Sequence, residues 1–110
     1  DKFGQVLSCA GGFSPTAGAD INGDGLADLL VGAETLGSGT TGGVYQIGGA
    51  KTLTGLSSST AGYVWTAPTG AATFGASVLL LEDINSDNYV DVVIGDPGYK
   101  SGAGRFHYYF

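Results

Sequence analysis

Basic residues are scarce in this chain. Four Lys and Arg stand against ten Asp and Glu, a net charge of −6 over 110 residues. So few cations leave no stripe to neutralise phosphates, which argues against nucleic acid as a partner. Cys9 is the one cysteine, so no intrachain disulfide can staple the fold, and the thiol reads as a small apolar packing residue. Methionine is absent, so the chain reads as a mature, trimmed or excised piece rather than one that starts at its initiator. No run approaches the ~20 apolar residues of a membrane helix, so membrane insertion is not expected. Charged residues make up only 13% against 43% hydrophobic, a balance that excludes a disordered chain.

Glycine is what the chain has in excess, at 21 residues spread between short apolar runs. No segment carries an apolar stripe of helical period over three turns. Short strands joined by many tight turns, an all-β architecture, follow from that pattern.

A repeat organises the rest. DINGDGLAD at Asp20 to Asp28 returns as DINSDNYVD at Asp83 to Asp91, 63 residues later. Positions 1, 3, 5 and 9 carry oxygen side chains in both copies: Asp20, Asn22, Asp24 and Asp28, then Asp83, Asn85, Asp87 and Asp91. Oxygen ligands at every second residue of a tight loop suit a hard cation such as Ca²⁺, with the backbone carbonyls of Leu26 and Tyr89 at position 7 as further ligands. One such run is often only a turn. A turn does not need acidic groups at positions 1, 5 and 9 twice over, so two Ca²⁺ sites are expected. Six of the ten acidic residues lie in these loops, and two bound Ca²⁺ would bring the net charge to about −2. Gly23 and Gly25 let the first loop curl, whereas Ser86 and Asn88 stand in the second, which is expected to be less well formed. An EF-hand is excluded, because its position-12 Glu would fall at Val31 or Ile94 and its flanking helices are missing.

Each loop runs into consecutive apolar residues, Leu29-Leu30-Val31 and Val92-Val93-Ile94. Such runs read as strands buried on both faces. GYVWTAP (Gly62 to Pro68) has no second copy and reads as a further strand. Val44, Tyr45 and Ile47 are aligned with Arg105, Phe106 and Tyr108. Seven strands result, one short of two four-stranded sheets. Strands buried on both faces within four-stranded sheets are the arrangement of radially packed propeller blades.

Phe-Gly, then D-x-N-x-D-x-x-x-D, an apolar strand and G-x-V-Y together resemble the FG-GAP repeats of the integrin α-subunit β-propeller. Phe3-Gly4 and Phe74-Gly75 carry the opening pair, with Phe13 as an alternative start for the first copy. Gly32-Ala33-Glu34 and Gly95-Asp96-Pro97 stand where the family has Gly-Ala-Pro, each differing at one position. The resemblance implies about two four-stranded antiparallel blades, a first repeat over 1–70 and a second over 71–110 lacking its last strand. It also implies an extracellular or cell-surface setting and an adhesion or ligand-recognition role, with calcium structural in the hairpin loops. Fewer than two full blades cannot close a propeller, so further blades from the same parent protein or from other copies of the chain are expected partners, with a protein or glycan ligand besides.

No catalytic residues are expected. His107 is the one histidine, in a strand, and Cys9 has no histidine near it in the pattern. Two other roles stay open. One is a lectin-like propeller binding glycans between blades through Tyr63, Trp65, Tyr99, His107 and Tyr108. The other is the non-catalytic propeller part of a secreted enzyme.

Overall fold

The computed structural model describes Gly4, Val6–Ser8 and residues 20–33, 42–49 and 57–110. Among these residues, seven strands form two antiparallel sheets. The first runs in the order β1 (Val6–Ser8), β2 (Leu29–Ala33), β3 (Gly43–Ile47), β4 (Tyr63–Thr66). The second has three strands, β5 (Ser77–Leu81), β6 (Asp91–Asp96) and β7 (Arg105–Tyr109), with β7 at its edge. Sequential neighbours pair in both, the meander of a propeller blade. Among the described residues, helical structure is confined to a 3₁₀ turn at Ser58–Thr60 and a distorted turn at Tyr99–Gly102.

β2 shows why an unbroken apolar run was needed. Leu30 packs with Val44 against the second sheet, while Val31 and Ala33 pack with Tyr45 and Ile47 on the opposite face. In β5 the apolar residues alternate instead, with Val78 and Leu80 buried and Leu79 half exposed. The core between the sheets is completed by Phe74, Val92 and Ile94. Burying a side chain the size of Phe74 contributes about 2–3 kcal/mol by transfer alone.

The two sheets meet backbone to backbone at one end. Gly75 has φ +88, and a Cβ on it would stand 2.5 Å from the Gly43 carbonyl oxygen of the first sheet. A Cβ on Gly42 would collide with the Phe74 carbonyl. The Phe-Gly pair thus places a large apolar ring in the core and removes the side chain that would hold the sheets apart. Gly4 repeats the backbone conformation of Gly75, with φ +85. The pairings Val6↔Gly32 and Ser77↔Gly95 put Gly4 and Gly75 at the same place in their sheets. The choice of Phe3-Gly4 over Phe13 agrees with this register; Phe3, Phe13 and Glu34 themselves lie outside the described residues.

One alignment is corrected. Leu30 pairs with Gln46, and its equivalent Val93 pairs with Tyr108. Gln46 therefore corresponds to Tyr108, Val44 to Phe106, Tyr45 to His107 and Ile47 to Tyr109. The sequence alignment was off by one residue, and in a strand one residue exchanges the faces. The short G-x-V-Y match misled because Arg105 occupies the place of Gly43.

Candidate functional site

Both acidic loops lie at the same end of the sheets, leading into β2 and β6, opposite the Phe-Gly junction. In the first loop, Asp20 turns back on the chain that follows it. Its Oδ1 accepts from the amides of Gly23 (2.7 Å) and Asp24 (3.0 Å), and its Oδ2 from Gly25 (2.7 Å). Asn22 Oδ1 accepts from the Asp24 amide at 2.9 Å, and Asp24 Oδ1 from the Leu26 amide at 2.8 Å. Gly23 and Gly25 have φ +77 and +83, the conformation these bonds require.

The second loop repeats the design. Asp83 accepts from the amides of Asp87 (3.1 Å) and Asn88 (2.6 Å). Asn85 Oδ1 accepts from the Asp87 amide at 3.0 Å, and Asp87 Oδ1 from the Tyr89 amide at 2.9 Å. Ser86 and Asn88 take up φ +66 and +71. A non-glycine residue held there costs on the order of 1 kcal/mol.

Position 9 differs from the others by being buried. Asp28 and Asp91 sit at the start of their strands, 2% and 0% exposed. Asp28 Oδ2 accepts from the Ile21 amide and from Gln46 Nε2 at 2.7 Å, and its Oδ1 from the Gly49 amide. Asp91 Oδ2 accepts from the Ile84 amide and from the Tyr108 hydroxyl at 2.6 Å. Asp91 Oδ1 is buried without a hydrogen-bond partner. Gln46 and Tyr108 are supports that the sequence reading missed. They occupy the same strand position, a signal that the corrected register reveals.

Tyr108 registers the charge of its loop. Burial, the hydrogen bond to Asp91 and the carboxylates of Asp91, Asp83 and Asp87 push its phenol up to about 12.

Among the described residues, no three His, Cys, Asp or Glu side chains converge as a ready-made metal centre. The acidic groups are turned onto the amides of their own loops. A carboxylate offers about four lone-pair sites, so Asp20, which accepts from three amides, retains capacity for a cation. The residue types fit Ca²⁺: hard oxygen donors from carboxylates, an Asn and a position-7 carbonyl. The buried Asp91 oxygen fits it best, since such an oxygen is costly unless something positive meets it.

A separate acidic residue is structural. Asp96 Oδ1 accepts from the amides of Thr73 (2.8 Å) and Ala72 (3.2 Å), and Oδ2 from Arg105 Nε at 3.2 Å. Burial would raise this carboxyl, but these donors and the Thr73 hydroxyl outweigh it and hold it below the ordinary carboxylate range. The departure from Gly-Ala-Pro at Asp96 thus ties the approach to β5 onto β6 and β7.

The five residues weighed for glycan binding do not gather. Tyr63 and Trp65 line a cleft of about 490 Å³ between the sheets, near the second loop. His107 lies against Phe74 in the core. Tyr99 lies under the Arg105 guanidinium, and Tyr108 sits on the opposite face of β7 beside Asp91.

No individual curated protein matches the chain. The family model for the FG-GAP repeat matches twice, over residues 11–45 and 74–109. The first match takes in the first acidic loop, β2 and the start of β3 but begins after Phe3-Gly4, so the family model does not include that pair as the opening of the first repeat. The second runs from Phe74 to the end of β7.

Proposed function

The chain belongs to the FG-GAP repeat family, and from that premise we propose that it is a calcium-binding β-propeller module of an extracellular adhesion or ligand-binding protein. Calcium is structural in this reading. It bridges each loop to the strand that follows and offsets the repulsion of three carboxylates in nine residues. The observation that carries it is the buried, unpartnered Asp91 oxygen at the head of β6, within a loop whose first three oxygen residues repeat the turns of the first copy. Millimolar extracellular Ca²⁺ suits sites of modest affinity. Among the described residues, no helix is long and apolar enough to cross a membrane.

Two blades do not close a propeller, which takes about four to eight. Further blades, from the parent protein or from other copies, complete it. The module is read as non-catalytic. His107 is packed on Phe74, and the loop carboxylates are turned onto their own amides. Ca²⁺ saturated by protein ligands would leave no open position for Lewis-acid chemistry.

The test is calorimetric titration of the metal-free chain with Ca²⁺. Saturable binding with two equivalents per chain, accompanied by a rise in Tm, supports the reading. Absence of binding at millimolar Ca²⁺ overturns it.

A further inference from the structure

The cleft between the sheets has a composition that the propeller reading does not use. Trp65 and Tyr109 are half-buried and face each other across the two sheets, with ring centroids 6.1 Å apart and planes inclined at 53°. Tyr63 stands edge-on to Trp65 at 4.8 Å and 71°. Tyr89 and Phe110, both largely exposed, form the rim. The rings are set as steeply inclined walls rather than as one flat platform. Among the described residues, the one charged lining side chain is the Asp87 carboxylate, and no Lys, Arg or His lines the cleft.

Two polar groups of the lining are already engaged. Gln46 Nε2 donates to Asp28. Asp87 Oδ1 accepts from the Tyr89 amide and Oδ2 from Asn85 Nδ2. The Tyr63, Tyr89 and Tyr109 hydroxyls and the Trp65 indole N–H remain, and these would serve a saccharide as well, which is why glycosides belong in the test below. An alkylated ammonium ion depends on π faces and nearby negative charge, without directional donors. Both are present. The charge persists with a dication in the loop, since Asp83, Asp87 and Asp91 outnumber its two charges by one.

We propose that the cleft between β4 and β7 binds an alkylated ammonium group through the ring faces of Trp65, Tyr63 and Tyr109 beside the Asp87 carboxylate. The group is the shared chemistry of a choline-type small molecule and a methylated lysine side chain. The proposal stands on the geometry between the sheets; with calcium on Asp87 the ring faces would carry the binding and the carboxylate would contribute less.

Trp65 is the only tryptophan of the chain, so its fluorescence reports this cleft alone. The full chain is titrated in EDTA and in excess Ca²⁺ with tetramethylammonium, choline and N-trimethyllysine, alongside 3,3-dimethylbutanol, the neutral isostere of choline, and a set of methyl glycosides. A saturable change with the ammonium ions, and at least tenfold weaker binding of the isostere, is the expected result. Choline against trimethyllysine then tells which source fits. Tyr63→Ala, at a largely exposed position of β4, is expected to weaken ammonium binding at least fivefold, with a small drop in Tm from the lost ring contact with Trp65. Equal binding of the neutral isostere, binding of glycosides but not ammonium ions, or no response to any of these ligands overturns the proposal. The wild-type comparison decides even if the variant does not fold.

Discussion

At the residue scale, the loops separate side chains that bind from side chains that hold. Asp24 sits at the exposed centre of the first loop, so Asp24→Ala is expected to halve the calcium stoichiometry by calorimetry while leaving the sheets folded. Glu34→Ala, outside the loop, is the matching control and is expected to change neither stoichiometry nor Tm. Asp96 differs in being buried and paired with Arg105. Asp96→Ala leaves that guanidinium without its partner and is expected to cost about 3 kcal/mol in denaturant unfolding. The pH dependence has a definite sign. The Asp96 carboxyl lies below its ordinary 3.8 in the folded chain. Its contribution is therefore complete above that pH and is lost as pH falls through the lower, folded value. His107 acts earlier. Burial, then the nearby Arg105 charge, lowers it from 6.5, with Asp96 opposing in part. Stability is thus expected to begin falling below about pH 6.5, where the unfolded imidazole takes up its proton first. His107→Phe should flatten that segment of a pH–Tm profile and leave the acid limb below pH 4 in place.

At the element scale, the acidic loops and the strands after them were legible because each carries a local signal. Ligand spacing marks the loops, and unbroken apolar residues mark β2 and β6. The pairing of β6 with β7 was not legible. β7 reads RFHYY, with a ring at four successive positions, so its pattern does not say which face is which. The consequence was specific: Tyr108 was aligned with Ile47, and its role beneath Asp91 stayed hidden. The Phe-Gly signature was visible as letters, but its cause lies in the neighbouring sheet, at the Gly43 carbonyl. Gly75→Ala tests that cause. It adds a methyl at φ +88 against a backbone oxygen, and its strain alone costs about 1–3 kcal/mol. A drop of that size or more in unfolding free energy is expected, whereas Gly102→Ala, also at positive φ but with open space around it, should lose only the backbone term.

At the scale of the whole molecule, two sheets make a slab with extents of 41 × 33 × 18 Å. β5 lies against β1 and β2, while the cleft opens between β4 and β7. The outer face of the second sheet presents Phe106 in the place of Val44 and Val93 in the place of Leu30, with Phe106 73% exposed. That exposure belongs to a blade in search of its next neighbour. Native mass spectrometry in excess Ca²⁺ and then in EDTA is expected to show an assembly of several chains that dissociates on chelation, if copies of this chain supply the missing blades. A monomer under both conditions would place them in the parent protein. The contact of Gly42 with Phe74 and of Gly75 with Gly43 bears on the assembly in a further way. Backbone pressed on backbone cannot be squeezed closer by repacking side chains, so that line acts as a fixed hinge pin, and the sheets diverge from it as the sides of a wedge. Two glycines and a peptide carbonyl, rather than the bulk of the core, therefore set how near one sheet can come to the next at that end.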